Sequence, residues 1–293
     1  MKKIISFGVF LFLNTIAFGQ IKTLNVSTQG ALKNLLTVSE SKTITTLTIT
    51  GNIDARDFMF MRDKMTALSI LDLTLVTIKA YIGTDGTIAG VNTSYSANEI
   101  PPFAFYDPSM LTYKTTLASI KFPAYVTKIG EKAFYYCSNL ANTIIIPATL
   151  TKISDYAFYG CTAISSFSVV SSNTRYSSNN GVLFNKSQDT LFIFPPSKGS
   201  SYTIPSTVKH IGNSAFDNCL KVSSISIPSS VTSIGSYAFS YCSGITGDLI
   251  LPSSLKKLGE GAFYGCWNLT GTINIPSTLV DLGNYCFLES NNV

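Results

Sequence analysis

The apolar and polar residues of this chain recur with a period of about 24 residues over its second half. From Pro228 the sequence runs PSSVTSIGSYAFSYCSGITGDLIL, and from Pro252 it runs PSSLKKLGEGAFYGCWNLTGTINI. Self-similarity at this period predicts a solenoid, because one repeat cannot bury its own apolar face and neighbours must stack to cover it. At spacings of 24, 58, 23, 24 and 24 residues, the phrase begins at Pro123, Pro147, Pro205, Pro228, Pro252 and, cut short, Pro276.

Each copy predicts the same succession of a strand, a turn and a filled interior. The segment before the proline alternates, as in Ile225-Ser226-Ile227, which is the period of a strand, and the proline ends the strand because it has no N–H to donate. Two apolar residues three apart follow, such as Val231 and Ile234, then a glycine, an Ala-Phe pair and a cysteine. We therefore expect a β-rich repeat solenoid whose stacked strands form a parallel sheet.

An insertion at residues 171–204 interrupts the series of repeats. Asn180-Gly181 is a hairpin-type turn signal before the apolar run at 182–184, and Leu191–Phe194 has the pattern of a partner strand. The insertion predicts an extra, modified coil or a hairpin within the stack, and not a separate domain.

Residues 20–99 carry a looser form of the pattern and predict an N-terminal cap with degenerate repeats, because one face of a terminal repeat meets water. The segment DARDFMFMRDKM predicts a short helix with Phe58, Met61 and Met65 facing inward. Residues 83–99 are rich in Gly, Thr, Ser and Asn and predict a loop.

The N-terminus has the features of a secretory signal peptide. Lys2 and Lys3 precede an apolar run from Ile4 to Phe18, and Gly19 offers a small residue before a cut at Gln20. The run is shorter than the roughly 20 apolar residues of a membrane span, and no comparable run follows. We therefore expect a secreted or cell-surface protein with no membrane span. The predicted divisions are a signal peptide at 1–19, a cap with degenerate repeats at 20–99, and repeats at 100–293.

Charge narrows the range of partners. Without the two lysines of the predicted signal, 19 basic and 16 acidic residues remain, a net charge of about +3. Nucleic-acid binding usually requires a concentrated basic face, so we expect no nucleic-acid partner.

The repeated phrase IPSSVTSIGSYAFSYCSGI resembles the BspA-type leucine-rich repeat, which occurs in secreted and surface proteins of Bacteroidetes and some protists. The insertion, with NGVLFNK, FPP and YTIP, resembles a variant repeat of that family. The resemblance covers about residues 100–293. It implies a leucine-rich-repeat horseshoe with short parallel strands, turns and short helical segments. It also implies protein or matrix binding, often linked to adhesion, and carries over no catalytic residue.

The cysteines share one repeat position and are expected to stack inside the coils. Disulfides are the first expectation for an exported protein, but stacked side chains point in parallel, which is poor for a torsion of about 90° around the S–S bond. We therefore expect a column of buried thiols. No metal site or cofactor is expected, because there is no CxxC pair and His210 is the only histidine. The column comprises Cys137, Cys161, Cys219, Cys242 and Cys266.

Aromatic residues that follow the Ala-Phe pair are the candidate ligand-binding residues. Tyrosine and tryptophan are enriched among the anchors of protein interfaces. The alternative interpretation is that these rings only cover the turns of the coils. The candidates are Tyr135, Tyr159, Tyr241, Tyr264 and Trp267.

The predicted function is binding or adhesion through a repeat surface, with a host or bacterial surface protein, a matrix protein or a glycan as partner. A second interpretation is a structural or assembly module that self-associates through an uncapped C-terminal coil. An extracellular hydrolase is the least favoured interpretation. Acid pairs such as Asp54 and Asp57 do not belong to a recognisable catalytic arrangement. Glycosidases need two carboxylates at a defined separation across a cleft. We expect no enzymatic activity.

Overall fold

The proline-bounded phrase folds into one coil per copy, and the coils stack into a β-solenoid of about 11 turns. The computed structural model describes residues 19–290, so the predicted signal peptide lies outside the described residues apart from Gly19. The first part contains β1 (Gln20–Val26), a 3-10 helix (Leu32–Asn34), α1 (Val38–Thr43), β2 (Ile44–Ile53), α2 (Ala55–Asp63), β3 (Ile70–Ile78), β4 (Tyr81–Gly83), β5 (Thr93–Tyr95), β6 (Glu99–Ile100), β7 (Tyr106–Asp107) and β8 (Thr112–Tyr113). The middle part contains β9 (Ser119–Lys121), β10 (Lys128–Ile129), β11 (Asn142–Ile146), β12 (Lys152–Ile153), β13 (Ile164–Val169), β14 (Tyr176–Asn179), β15 (Val182–Asn185) and β16 (Thr190–Ile193). The last part contains β17 (Ser200–Thr203), β18 (His210–Ile211), β19 (Val222–Ser226), β20 (Ser233–Ile234), β21 (Leu249–Ile250), β22 (Lys257–Leu258), β23 (Ile273–Asn274) and β24 (Asp281–Leu282).

Each coil contributes strands to two parallel ladders. The strands before the prolines form the first ladder, in the segments β1-β2-β3-β9, β11-β13, β17-β19 and β21-β23. The two-residue strands after the prolines form the second ladder, which includes β6-β10-β12 and β16-β18-β20-β22-β24. Lys128 pairs with Lys152 and Ile129 with Ile153, so equivalent residues of successive copies lie side by side. The predicted solenoid with short parallel strands is confirmed.

Ala and Phe of each copy fill the coil interior. The phenylalanine rings stack along the solenoid axis; Phe216 lies 4.8 Å from Phe239, and Phe239 lies 4.9 Å from Phe263. These side chains are fully buried or nearly so. Because the rings lie about one coil apart, each copy covers the apolar face of the next, as the repeat period requires.

The cysteines are free and buried, as predicted. Burial raises the pKa of the Cys161 and Cys242 thiols well above the ordinary value, so they remain protonated. Each thiol donates to the carbonyl of a phenylalanine one coil away: Cys161 to Phe134 at 3.0 Å and Cys242 to Phe216 at 2.9 Å. The thiol column is therefore a row of small interior donors.

The N-terminal part also forms coils, with a helix replacing the turn in one of them. Helix α2 begins after Asp54, and Phe58 and Met61 are fully buried, as the sequence predicted. Asp57 accepts hydrogen bonds from the backbone N–H groups of Gly30 and Leu32 at 2.7 and 2.9 Å, which ties the 3-10 helix to α2. The acid pair of Asp54 and Asp57 thus has a structural role as the cap of this helix.

The prediction of a loop at residues 83–99 was wrong in part. Strands β4 and β5 form a short antiparallel hairpin there, and β6 joins the second ladder. The rings of Tyr81 and Tyr95 stack at 6.1 Å across the hairpin, and the Arg56 guanidinium lies 4.5 Å above the Tyr81 ring. These contacts stabilise a hairpin in a polar segment whose composition had predicted a loop.

The insertion contains both a hairpin and a modified coil. Asn180 and Gly181, with φ of 49° and 79°, form the turn between β14 and β15. Strand β16 then pairs antiparallel with β15 and parallel with β18, so it continues the second ladder. The buried apolar residues divide at this point into one cluster that runs from Val26 to Leu183 and a second that runs from Val182 to Cys286.

Candidate binding surface

Aromatic side chains emerge from the coil turns directly after several of the buried phenylalanines. Phe134 points into the core, and the next two residues, Tyr135 and Tyr136, are only half-buried. Tyr136 and Tyr241 adopt the left-handed conformation, with φ of 53° and 55°, which turns the chain outward at this point. We call the resulting patch the tyrosine surface. It consists of Tyr106, Tyr113, Tyr135, Tyr136, Tyr156, Tyr159, Tyr241, Tyr264 and Trp267.

Two of the predicted residues lie in the first half of this surface and contact each other. The rings of Tyr135 and Tyr159 stack with their centroids 5.2 Å apart and an angle of 14° between their planes. Tyr106 lies 4.9 Å from Tyr135, and Tyr113 lies 5.1 Å from Tyr136. The rings therefore form one packed layer over three successive coils.

The ammonium group of Lys132 lies beside two rings of this surface. The Lys132 ammonium is 5.7 Å from the ring centroids of both Tyr135 and Tyr156. A cation within about 6 Å of an aromatic ring is attracted by the electron-rich face, at about 0.5–1 kcal/mol for an exposed pair. Lys132 thus fixes two rings and adds a positive charge to the patch.

The other three predicted residues lie together in the second half of the surface. Tyr241 lies 5.3 Å from Tyr264 and 5.8 Å from Trp267. The Trp267 side chain is 45% exposed, and it is the most accessible of the five predicted residues. The structure therefore assembles the five candidates into two groups.

Asp217 connects the two groups. Its buried carboxylate accepts a hydrogen bond from Ser240 at 2.5 Å, and the Tyr159 hydroxyl bonds to both of these side chains. Burial raises the pKa of Asp217 to about 6. This carboxylate, in the coil after the insertion, thus links Tyr159 of the first group to Ser240, the residue before Tyr241 of the second group.

Glycines in the next coil make room for the outward tyrosines. A Cβ atom on Gly160 would lie 2.7 Å from the Tyr136 ring, and one on Gly265 would lie 2.7 Å from the Tyr241 ring. Both glycines also have positive φ, of 72° and 66°, which other residues adopt at a cost. The rings therefore lie flat on the following coil only where that coil has a glycine.

The profile of the BspA type leucine rich repeat region matches residues 108–198 and 192–293 in 6 copies. The chain belongs to this family. No curated protein sequence matches the chain. The BspA-type repeats thus account for the part of the chain that carries all five predicted aromatic residues.

Solved structures share this BspA-type solenoid. A leucine rich cell surface protein from Faecalibacterium prausnitzii A2-165 superimposes with a TM-score of 0.55 and 22% identity, over 86% of this chain and 72% of that one. The pneumococcal vaccine antigen PcpA superimposes with a TM-score of 0.51 and 20% identity, over 84% of this chain and 66% of that one. At these identities the comparison establishes the fold.

The strand face of the BspA-type repeats is exposed and carries both apolar and polar side chains. Ile145 and Ile250 are 58% and 73% exposed, whereas Ser168, Ser226 and Asn274 offer small polar groups. No cluster of three or more metal-ligating side chains occurs within residues 19–290, and none of the helices there has the length and apolar character of a membrane span.

Other polar residues that the sequence pointed to have local partners. His210 is exposed, and its Nδ1 lies 2.8 Å from the Ser233 hydroxyl in the adjacent coil. Glu260 accepts a hydrogen bond from the Tyr237 hydroxyl at 2.7 Å. These contacts link coils and do not assemble a cleft with paired acids.

Five members of the site were absent from the predicted set, and one of them, Tyr136, directly follows the predicted Tyr135. Tyr106 and Tyr113 lie in a degenerate copy without the full phrase, and Tyr156 precedes the Ala-Phe pair. Asp217 occupies the position of Tyr135 and Tyr159 in its own copy. This replacement of tyrosine by aspartate is visible when the copies are aligned with one another, and it could have identified Asp217 as a member of the site.

Proposed function

We propose that this chain is an exported, cell-surface binding protein that holds a protein ligand on the tyrosine surface. The observation that carries the proposal is the presence of two packed groups of aromatic rings at the surface, one around Tyr135 and the other around Tyr241. Tyrosine and tryptophan contribute a large contact area at low entropic cost, because each side chain has two rotatable bonds to immobilise. The family and the surface location of one structural relative support the location outside the cell.

The packing of the rings favours a protein over a glycan. Sugars stack on open ring faces, but the faces of Tyr135 and Tyr159 are turned toward each other. The surface presents ring edges and hydroxyls instead. Burial raises the pKa of the Tyr135 hydroxyl, so it remains a neutral hydrogen-bond donor. Edges and hydroxyls of this kind suit the backbone carbonyls and apolar side chains of a protein.

Variants at the two most exposed rings test the proposal. Trp267→Ala and Tyr113→Ala remove side chains that are 45% and 40% exposed, so the core is left intact. We expect each to weaken binding to a protein captured from an array of matrix and surface proteins by about 5- to 30-fold, the effect of losing an interface anchor. The measurement is the dissociation constant by surface plasmon resonance.

Tyr125→Ala is the matched control, because Tyr125 is 68% exposed and lies outside the tyrosine surface. Its affinity is expected to equal that of the wild-type chain. A ligand whose affinity is unchanged by both Trp267→Ala and Tyr113→Ala would place binding elsewhere. Binding of glycans alone, or hydrolysis of an array member without binding, would reject the protein-ligand proposal.

Self-association is the second candidate function, and one observation favours it. The coil at residues 276–290 exposes apolar side chains: Val280 is 84% exposed, Leu282 is 57% exposed and Tyr285 is 62% exposed. Strand β24 pairs with β22 on one side. A second copy of the chain stacked on this coil would bury these side chains.

Sedimentation velocity distinguishes the two candidates. If copies associate through this coil, Val280→Asp reduces the dimer fraction, whereas Ile82→Asp, at a site that is 71% exposed on the β4-β5 hairpin, leaves it unchanged. A wild-type chain that is monomeric throughout the concentration range excludes self-association and leaves the binding proposal standing.

A further inference from the structure

A cavity of about 180 Å³ lies between the coil that begins at Pro147 and the modified coil of the insertion. Phe158, Phe192 and Phe194 line its apolar wall, and Ser214 and Asp217 line its polar wall. The cavity borders Tyr156 and Tyr159 of the tyrosine surface but lies beneath it, and its lining has features of a site for a small ligand.

The cavity exists because the modified coil is two residues short. Leu191 pairs with Ile211, and the Phe194 N–H donates to the Ala215 carbonyl at 2.7 Å, so Phe194 is the equivalent of Phe216. Two residues separate Leu191 from Phe194, whereas four separate Ile211 from Phe216. The modified coil therefore lacks the alanine turn that fills this place in the other copies.

The stack of phenylalanine rings is interrupted at the same place. Phe134 and Phe158 stack at 5.3 Å, and Phe194 and Phe216 stack at 4.9 Å. No ring contact joins Phe158 to Phe194 within the described part of the chain. Phe158 is 7% exposed, whereas Phe134 is fully buried, so the Phe158 ring meets the cavity.

Two polar groups at the cavity have no protein partner within residues 19–290. In the preceding coil the Phe134 N–H donates to the Ala157 carbonyl at 2.9 Å, but the Phe158 N–H finds no carbonyl in the shortened coil. The buried Ser214 hydroxyl also has no hydrogen-bond partner. An unpaired buried polar group costs about 1–3 kcal/mol, so a ligand that pairs both groups gains affinity.

We propose that this cavity binds one neutral phenol-type ring, which packs against Phe158 while its hydroxyl bonds to Ser214 and to the Phe158 N–H. An apolar cavity of about 150 Å³ is large enough to bind benzene, so this one accommodates a single six-membered ring with a small substituent. The buried Asp217 carboxylate repels an anionic ring such as benzoate. The phenol ring could be a free small molecule or the side chain of a peptide tyrosine.

Fluorine NMR of 4-fluorophenol with the purified full chain tests the proposal. We expect a saturable change of chemical shift that 4-methylphenol reverses and benzoate does not. Reversal by N-acetyltyrosinamide as well identifies a tyrosine side chain as an acceptable source of the ring. Reversal by 4-methylphenol alone identifies a free phenol.

Two variants locate the binding. Ile193→Phe fills the cavity from its half-exposed lining and is expected to abolish the saturable shift, while Ile227→Phe, at a half-buried isoleucine of another coil, retains it. Ser214→Gly suits the positive φ of 52° and removes the hydroxymethyl group that carries the hydroxyl. It is expected to weaken binding by about 3- to 10-fold, the value of one neutral hydrogen bond.

A shift that remains linear in ligand concentration for the wild-type chain overturns the proposal. Saturable binding that is unchanged in both Ile193→Phe and Ser214→Gly also overturns it. Because Ser214→Gly relieves backbone strain, it keeps the test decisive if Ile193→Phe fails to fold. Neither result bears on the tyrosine surface, whose test uses different residues.

Discussion

Asp217 occupies a position where other copies have a tyrosine or a serine, and its carboxylate replaces a backbone carbonyl. In a regular coil the Tyr136 N–H donates to the Tyr159 carbonyl of the next coil at 2.8 Å. The shortened coil offers no such carbonyl to Gly160, whose N–H donates to the Asp217 Oδ2 at 3.3 Å. With Ser240 bound to its other oxygen, the carboxylate joins the coils on both sides of the insertion.

The buried carboxyl predicts a pH dependence of stability. Burial raises the pKa of Asp217 to about 6 in the folded chain, and the ordinary value in an unfolded chain is about 3.9. Because the folded state binds the proton more tightly, Asp217 contributes stability that is fully present below about pH 4 and is lost as the pH rises through about 6. A difference of this size corresponds to about 3 kcal/mol.

The measurement is the free energy of unfolding in urea at pH 4 and pH 7.5, for the wild-type chain and for Asp217→Asn. The free energy of unfolding of the wild-type chain, relative to that of Asp217→Asn, is expected to be lower at pH 7.5 than at pH 4. Burial also raises the pKa of Asp57, but its contribution is common to both proteins and cancels in the comparison. A relative stability that is constant from pH 4 to pH 7.5 would contradict the pKa assignment.

At the scale of one coil, each repeat position requires a type of contact and not a fixed residue. Ser290 takes the cysteine position in the last described copy, and its hydroxyl donates to the Phe263 carbonyl at 2.8 Å. Cys266 makes the same bond to Phe239 at 3.1 Å. The position therefore needs a small side chain that donates a hydrogen bond to the preceding phenylalanine carbonyl.

A pair of substitutions at Cys242 separates the hydrogen bond from the packing. Cys242→Ser keeps a donor for the Phe216 carbonyl and is expected to cost less than about 1 kcal/mol. Cys242→Ala has nearly the same volume as Cys242→Ser but leaves that buried carbonyl unpaired, at a further cost of about 1–3 kcal/mol. Thermal unfolding followed by circular dichroism checks the order. Equal losses for the two variants would mean that the thiol acts through volume alone.

The regular coils could be predicted because their signals are local. Alternation before a proline, an apolar pair and an Ala-Phe pair recur in phase, so the ladders and the thiol column followed from the copies themselves. The β4-β5 hairpin could not be predicted from a polar segment, since it depends on the contact of Tyr81 with Tyr95 and Arg56.

The candidate site was predictable only where the copies are complete. Tyr135 and Tyr264 follow an intact Ala-Phe pair, but the contact of Tyr113 with Tyr136 joins an irregular copy to a regular one. The cavity depends on a two-residue shortening, whose position is defined by the pairing of Leu191 with Ile211. Neither the contact of Tyr113 with Tyr136 nor the cavity has a periodic signal in the sequence.

At the scale of the whole molecule, the division of the core at the insertion predicts two units of cooperativity. Repeat arrays owe their stability to the coils and to the interfaces between neighbours, so a weak interface separates the units on either side of it. The Phe158–Phe194 break and the two apolar clusters place that interface at the insertion.

Matched leucine variants test this division. Leu150 and Leu255 occupy the same repeat position, one in each apolar cluster, and both are fully buried. Leu→Ala at such a site costs about 2–5 kcal/mol. In hydrogen exchange we expect Leu150→Ala to reduce amide protection in the coils before the insertion, and Leu255→Ala to reduce it in the coils after. Loss of protection along the whole chain in either variant would show a single unit.

The pairing of each outward tyrosine with a glycine of the next coil restricts how such an array changes length by recombination. Removal of the coil that begins at Pro252 would bring Tyr241 against Glu289, which occupies the position of Gly265. Removal of the two coils from Pro228 to Ile275 would remove Tyr241 and Gly265 together. In this region we therefore expect the glycine coil to be lost only together with the tyrosine coil before it, so part of the array behaves as a unit of two structural periods.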